Sequence, residues 1–243
     1  IKIFKKFGMK RLLFVVAFFT LPLTPQADTY SVSDKLYVGF GAGIISPNNV
    51  DINVSEAGTI SGVTYSANIK GEFEFDNGYQ INGLLGYRFN DYLSFETEFG
   101  YTQFDYDKVN LTAGGTATSG GVTFTGAASR SYDIDGSISA FSMIFGPAFD
   151  FDVSNNLEFL VSGGIGFSSY NDEVKSVGGS TGLSYNEDFT DFAAKFKTGA
   201  NYSFTQQTYI QATYGFNYVD SGIDNFTEDL TAHSFDAKLI LNF

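Results

Sequence analysis

The sequence predicts an all-β fold: an eight-stranded antiparallel up-and-down transmembrane β-barrel with long extracellular loops. Three observations carry this. Apolar residues recur at every second position in eight separate stretches, the period of a strand and not of a helix. The connections between those stretches alternate long and short along the whole chain. The composition is aromatic and small rather than charged, with 27 Phe, 15 Tyr and 27 Gly against 4 Pro and 17% charged residues, where soluble domains carry about 25% charged.

The closing stretch, 233–243, sets the demand on the rest. Phe235, Ala237, Leu239, Leu241 and Phe243 fall on one face, and Ser234, Asp236, Lys238 and Asn242 on the other, with Ile240 the exception. Nothing follows Phe243 to cover the aromatic face, so lipid is its expected cover. In hydrocarbon both edges of a strand must be paired, and only a closed sheet achieves that.

Taken in order, the first strand spans 36–45, with Leu36, Val38, Phe40, Ala42 and Ile44 outward and Tyr37, Gly39, Gly41 and Gly43 inward. No helical pattern follows these glycines, so they do not form a nucleotide loop; they leave room for long side chains in a narrow lumen. Residues 46–68, rich in Asn, Gly and Ser, read as a long loop. The second strand places Phe73, Phe75, Tyr79, Ile81, Leu85, Tyr87 and Phe89 on one face for some twenty residues, twice what a crossing strand needs, and Asp76-Asn77-Gly78 offers a turn or bulge within it.

After the turn at Asn90-Asp91 a third strand covers 92–104, followed by a second long loop, 105–136. The fourth strand is 137–151, with Pro147 marking a local irregularity. A turn at 152–156 leads to the fifth, 157–170. A third loop, 171–188, precedes the sixth strand, 189–204. The turn Thr205-Gln206-Gln207 joins it to the seventh, 208–219, and a fourth loop, 220–231, returns to the closing strand. Long loops gathered at one end and short turns at the other suit a barrel across an outer membrane, with both termini periplasmic. Aromatic residues at the strand ends suggest two girdles: Phe89, Tyr92, Phe151, Phe204 and Tyr209 below, and Tyr101, Phe104, Phe167, Tyr170 and Tyr218 above.

Met9-Lys10-Arg11 followed by the apolar run from Leu12 to Leu21 is the pattern of a secretory signal peptide. It is too short to span a bilayer as a helix. Residues 1–27 are therefore expected to be cleaved, leaving 28–243 as the barrel. The five basic residues before position 28 leave 9 basic against 27 acidic residues, a balance of −18, which argues against a nucleic-acid partner. The absence of cysteine excludes disulfides and thiolate metal sites, and the lone histidine, His233, removes most histidine chemistry.

The signal segment, four hairpins, long outer loops and terminal Phe243 together resemble the small outer-membrane barrels of Gram-negative bacteria, of the opacity-protein or OmpA-type. The resemblance implies integral residence in the outer membrane, contact with its lipid and lipopolysaccharide, and delivery by the barrel-assembly machinery. Phe235, Leu239, Leu241 and Phe243 resemble the assembly signal of such proteins. The peptidoglycan-binding domain of longer relatives is not expected after Phe243. The scaffold hosts adhesins, weak pores, tethers and lipid enzymes, so it does not itself select a function.

Inward-facing charges form the candidate site: Arg88, Glu96, Glu98, Glu158, Lys195, Lys197, Asp236 and Lys238. An eight-stranded lumen is narrow enough to be filled by side chains, and buried charges need partners, so a paired network is expected. It reads as a structural plug or, alternatively, as a gated narrow path for small solutes. Acid–base catalysis by Glu96 and Glu98 is disfavoured because lysine partners explain them. His233 and Ser234 are adjacent on a strand and face opposite sides, which disfavours a hydrolase pair. The outer loops carry Asp105, Asp107, Asp133, Asp135, Asp172, Glu173, Glu187, Asp188, Asp191, Asp220, Asp224, Glu228 and Asp229: a solvated, repulsive rim or, alternatively, a site for divalent cations that bridge lipopolysaccharide phosphates, which no calcium-loop spacing supports; an extracellular ligand could also meet these acidic loops. No cofactor, metal or catalytic residue is expected. The function that follows is a non-enzymatic surface-exposed structural or interaction protein; a porin-like conduit is the alternative, and a lipid-modifying enzyme the remote one.

Overall fold

The computed structural model describes residues 35–205, 207–220 and 229–243. The expected signal segment, Gln206, Asp224 and Glu228 lie outside the described residues. The chain divides into two units, Ile1–Ser31 and Val32–Phe243, and all described residues belong to the second.

Among the described residues ten strands form: β1 (Leu36–Pro47), β2 (Val50–Ile60), β3 (Val63–Phe75), β4 (Gly78–Asn90), β5 (Leu93–Ser119), β6 (Val122–Ser154), β7 (Leu157–Val177), β8 (Tyr185–Ser203), β9 (Thr208–Val219) and β10 (Leu230–Asn242). Eight of them close an antiparallel barrel. Strand β1 pairs with β10 on one side and β4 on the other, and the circuit continues through β5, β6, β7, β8 and β9. The expected strands are all present, and short connections gather at one end: Asn90 to Leu93, Ser154 to Leu157 and Ser203 to Thr208.

The other end, hereafter the hairpin end, corrects the expectation of long loops. Residues 46–68 are mostly the β2–β3 hairpin, turned at Ser61 (φ 52°) and Gly62 (φ 81°). Residues 105–136 continue β5 and β6 as one long hairpin, turned at Gly120 and Gly121 (φ 57° and 81°). Two successive positive φ values suit the right-handed twist of the flanking strands. Strand β3 pairs with the far part of β5, from Thr64 opposite Thr118 to Phe75 opposite Tyr106. A four-stranded sheet, β2-β3-β5-β6, therefore projects beyond the barrel. Much of 171–188 is strand too, with Val174 paired to Tyr185.

Within the barrel the alternation holds. Phe40 on β1 is 70% exposed and Phe235 on β10 is 58% exposed, whereas Ser234 and Ile240 are fully buried. Outward Phe, Tyr, Leu and Ile continue around all eight strands, an apolar belt far larger than a soluble monomer exposes. The second strand is not continuous: it breaks between Phe75 and Gly78, and Phe73 and Phe75 pack against Tyr106 instead of lipid. Phe104, Tyr170 and Tyr209, expected in the girdles, are buried inside. At Pro147 the β6–β7 ladder lapses between Phe145 and Ala148 without a change of register; proline has no N–H to give.

Candidate functional site

The lumen is filled in three layers. At the short-turn end Tyr37, Leu84, Tyr209 and Ile240 form a small apolar cluster. Ile240, the sequence misfit, belongs here: it faces inward like its even-numbered neighbours. The Arg88 guanidinium lies 5.3 Å and 5.7 Å from the ring centres of Tyr37 and Tyr209 and donates to the Tyr209 hydroxyl at 3.3 Å. Tyr37 in turn donates to Glu96 at 3.0 Å and so ties this layer to the next.

The middle layer is the ion-pair network. Glu98 on β5 meets Lys195 at 2.7 Å, Lys197 at 2.8 Å and Lys238 at 3.2 Å. Lys197 also reaches Glu96 at 3.2 Å, and Asp236 lies 3.9 Å from both Lys195 and Lys238. Asn82 donates to Asp236 at 2.7 Å, and Gln80 also donates to it. Six of the eight predicted charges are thus brought together. Space for them comes from the β1 glycines: a Cβ on Gly41 would stand 2.5 Å from the Lys238 side chain, and one on Gly43 2.6 Å from the Asp236 carboxylate.

Arg88 and Glu158 are not part of that cluster. Glu158 and Asp150 share Asn201, whose amide donates at 3.3 Å and 2.8 Å respectively. Asp150, Tyr37, Tyr209, Gln80 and Asn82 were absent from the sequence-derived set. The parity of β6, which puts Phe149 and Phe151 outward, already turned Asp150 inward. Tyr37 lies inward as its parity predicts, and Tyr209, expected in the lower girdle, is turned inward by its odd position on β9.

Above the charges the hairpin end holds an apolar core that includes Ile45, Phe104, Tyr106, Ile138, Tyr170 and Val174. A cavity of about 70 Å³ lies between this core and Lys195. Two phenols converge on one carboxylate at the top: Tyr106 and Tyr185 each donate to Asp172 at 2.9 Å. Burial pushes the Asp172 carboxyl above its ordinary range, and the two hydrogen bonds offset part of that rise. Burial likewise pushes the Tyr106 hydroxyl up. Of the predicted rim acids, Asp172 is therefore interior, and Asp191 accepts from Tyr170 at 2.9 Å. Among the described residues no group of three or more acids or histidines could hold a metal ion.

Phe235, Leu239, Leu241 and Phe243 all face outward. His233 stacks on Tyr214, its Nδ1 2.6 Å from the Tyr214 hydroxyl, while Ser234 is buried on the opposite face.

A family model described as an outer membrane protein beta-barrel domain matches residues 12–243. No curated protein matches the sequence. Among solved structures, Neisserial surface protein A (NspA) aligns at 17% identity over 86% of this chain and 97% of its own, with a TM-score of 0.47. Ail, the attachment invasion locus protein of Yersinia pestis, aligns at 13% over 86% and 99%, TM-score 0.42. OprG from Pseudomonas aeruginosa aligns at 9% over 87% and 97%, TM-score 0.44.

Proposed function

Because the chain belongs to the outer membrane protein beta-barrel domain family, we propose that it is a non-enzymatic outer-membrane protein that acts at the cell surface through its projecting β2-β3-β5-β6 sheet, above a shut lumen. The observation that carries this reading is the filling of the lumen. Lys197 is 4% and Lys238 1% exposed within the charge layer, and an apolar core covers that layer from the hairpin end. Opening a path would separate buried ion pairs and unpack that core, and each buried charge left unpaired costs several kcal/mol.

In this reading the hairpin end faces outward, both termini face the periplasm, and residues 1–27 are the cleaved signal. The belt contacts lipid and lipopolysaccharide, and Phe235, Leu239, Leu241 and Phe243 address the chain to the assembly machinery. The acids remaining on the projecting strands give an extracellular ligand a negatively charged surface.

The charged middle layer favours a second reading, a narrow conduit for small solutes in which the lysine–carboxylate pairs rearrange. Single-channel recording of the purified protein in planar bilayers separates the two. Silence is expected; steady wild-type current that changes in Lys195 and Lys197 variants would establish the conduit instead. A lipid-modifying activity predicts altered lipid A in cells overproducing the protein, and unchanged lipid A is expected.

A further inference from the structure

The projecting sheet ends in an edge that is unusually bare. From Val122 to Tyr132, β6 is paired on one side only, with β5. Strand β7 joins β6 no earlier than Ile134. Eleven residues of backbone thus present donors and acceptors with no neighbouring strand among the described residues. Natural edges are ordinarily blunted by charges, proline or bulges. This one has a single charge, Arg130, and no proline, and its ladder with β5 is regular from Lys108 to Ser119. It also carries Phe124, 66% exposed, and Val122, 56% exposed.

The side chains along this edge complement themselves. Set two copies antiparallel about Ala127. Phe124 then stands opposite Arg130, twice, a cross-strand cation–π pair. Thr123 faces Ser131 and Thr125 faces Ser129, pairs that exchange hydroxyl hydrogen bonds. The two arginines lie six positions apart along the ladder, so like charges do not meet.

We propose that the Val122–Tyr132 edge is a self-pairing site that takes the same edge of a second copy of this chain, carried on a facing membrane. The facing arrangement follows from strand direction. Strand β6 runs without interruption from this edge into its barrel. An antiparallel partner runs the other way, toward a barrel on the far side. The proposal rests on the reading that the projecting sheet is presented to the exterior, and it names the partner that sheet takes.

The protein has no cysteine, so Ala127→Cys introduces a single thiol at the two-fold centre. Directly opposed antiparallel residues have Cα atoms about 4.5–5.5 Å apart, within the span a disulfide accepts, about 4.4–6.8 Å. With the full chain in sealed lipid vesicles, oxidation should yield a cross-linked dimer from Ala127→Cys and none from Val54→Cys on β2. Vesicle clustering, read by light scattering, should be lost with Phe124→Lys, which faces Arg130 with a like charge. It should return when Arg130→Glu is added. Absence of the Ala127→Cys dimer, or clustering indifferent to Phe124→Lys, overturns the proposal. An impermeant thiol label on intact cells separates the two readings. Labelling of Ala127→Cys without cross-linking removes the self-pairing alone, and failure of both Ala127→Cys and Val54→Cys to label after reduction, on dispersed cells, removes the surface reading with it.

Discussion

The Lys238 ammonium lies 3.2 Å from the Glu98 carboxylate, although β10 and β5 are separated by two strands on one side of the barrel and by four on the other. Glu98 is the one acid that all three buried lysines share. Glu98→Ala should therefore cost about 3–5 kcal/mol, the penalty for stranding buried charge. The midpoint of urea unfolding in detergent micelles measures it. A loss of only about 1 kcal/mol, typical of exposed pairs, would mean that water reaches the lysines.

Leu239 and Ile240 are neighbours with opposite solvents. Leu239 is 48% exposed on the belt and Ile240 is fully buried beside Tyr37 and Tyr209. Leu239→Arg should cost about 2–4 kcal/mol if the site is near the bilayer midplane. Ile240→Ala should cost about 2–5 kcal/mol for a quite different reason, the cavity it leaves. Unfolding in lipid vesicles of two thicknesses distinguishes them: only the Leu239→Arg loss should depend on the bilayer.

Asp172 gives the hairpin end a pH dependence. Burial raises its folded-state pKa above the unfolded value. Its stabilising contribution is thus fully present below the unfolded pKa and is lost as pH rises through the folded one. Acidification should tighten the strands around Tyr106 and Tyr185. Amide exchange in the upper parts of β7 and β8, corrected for intrinsic rates, should slow as pH falls from neutrality toward the ordinary carboxylate range. Asp172→Asn should diminish that response around Tyr106 and Tyr185, leaving the part due to Asp191, whose carboxyl burial also raises.

Phe104 supports the projecting sheet from below, edge-on to Phe75 with ring centres 5.5 Å apart. Phe104→Ala should cost about 3–5 kcal/mol, expressed at the hairpin end. Limited proteolysis should begin within 108–133 in this variant while the spanning stretches remain protected. Equal loss of protection throughout the barrel would show that the two parts unfold as one.

The barrel was legible because lipid and lumen impose opposite demands on alternate residues. That contrast is plain in β10, where Leu239 and Lys238 are adjacent. It fades where both faces of a strand meet water: 122–131 has only Val122 and Phe124 as large apolar residues, both exposed, among Gly, Ala, Ser, Thr and Arg130, so an extended hairpin reads as a loop. Phe73 and Phe75 misled for another reason. The break at Asp76-Asn77 preserves odd–even parity, so two residues of the outer core kept step with the lipid face of β4. Parity did carry the information that aromatic clustering obscured, since the even position of Phe104 on β5 and of Tyr170 on β7 already turns both rings inward.

The distribution of the middle-layer charges along the chain has a consequence for how the barrel is made. Strand β5 brings the two negative groups Glu96 and Glu98, and β8 brings the two positive groups Lys195 and Lys197. Strand β10, the last of the ten in sequence, carries Asp236 and Lys238 together. The charges β10 adds to this layer sum to zero, so closing its seam with β1 carries no net charge from water into the interior.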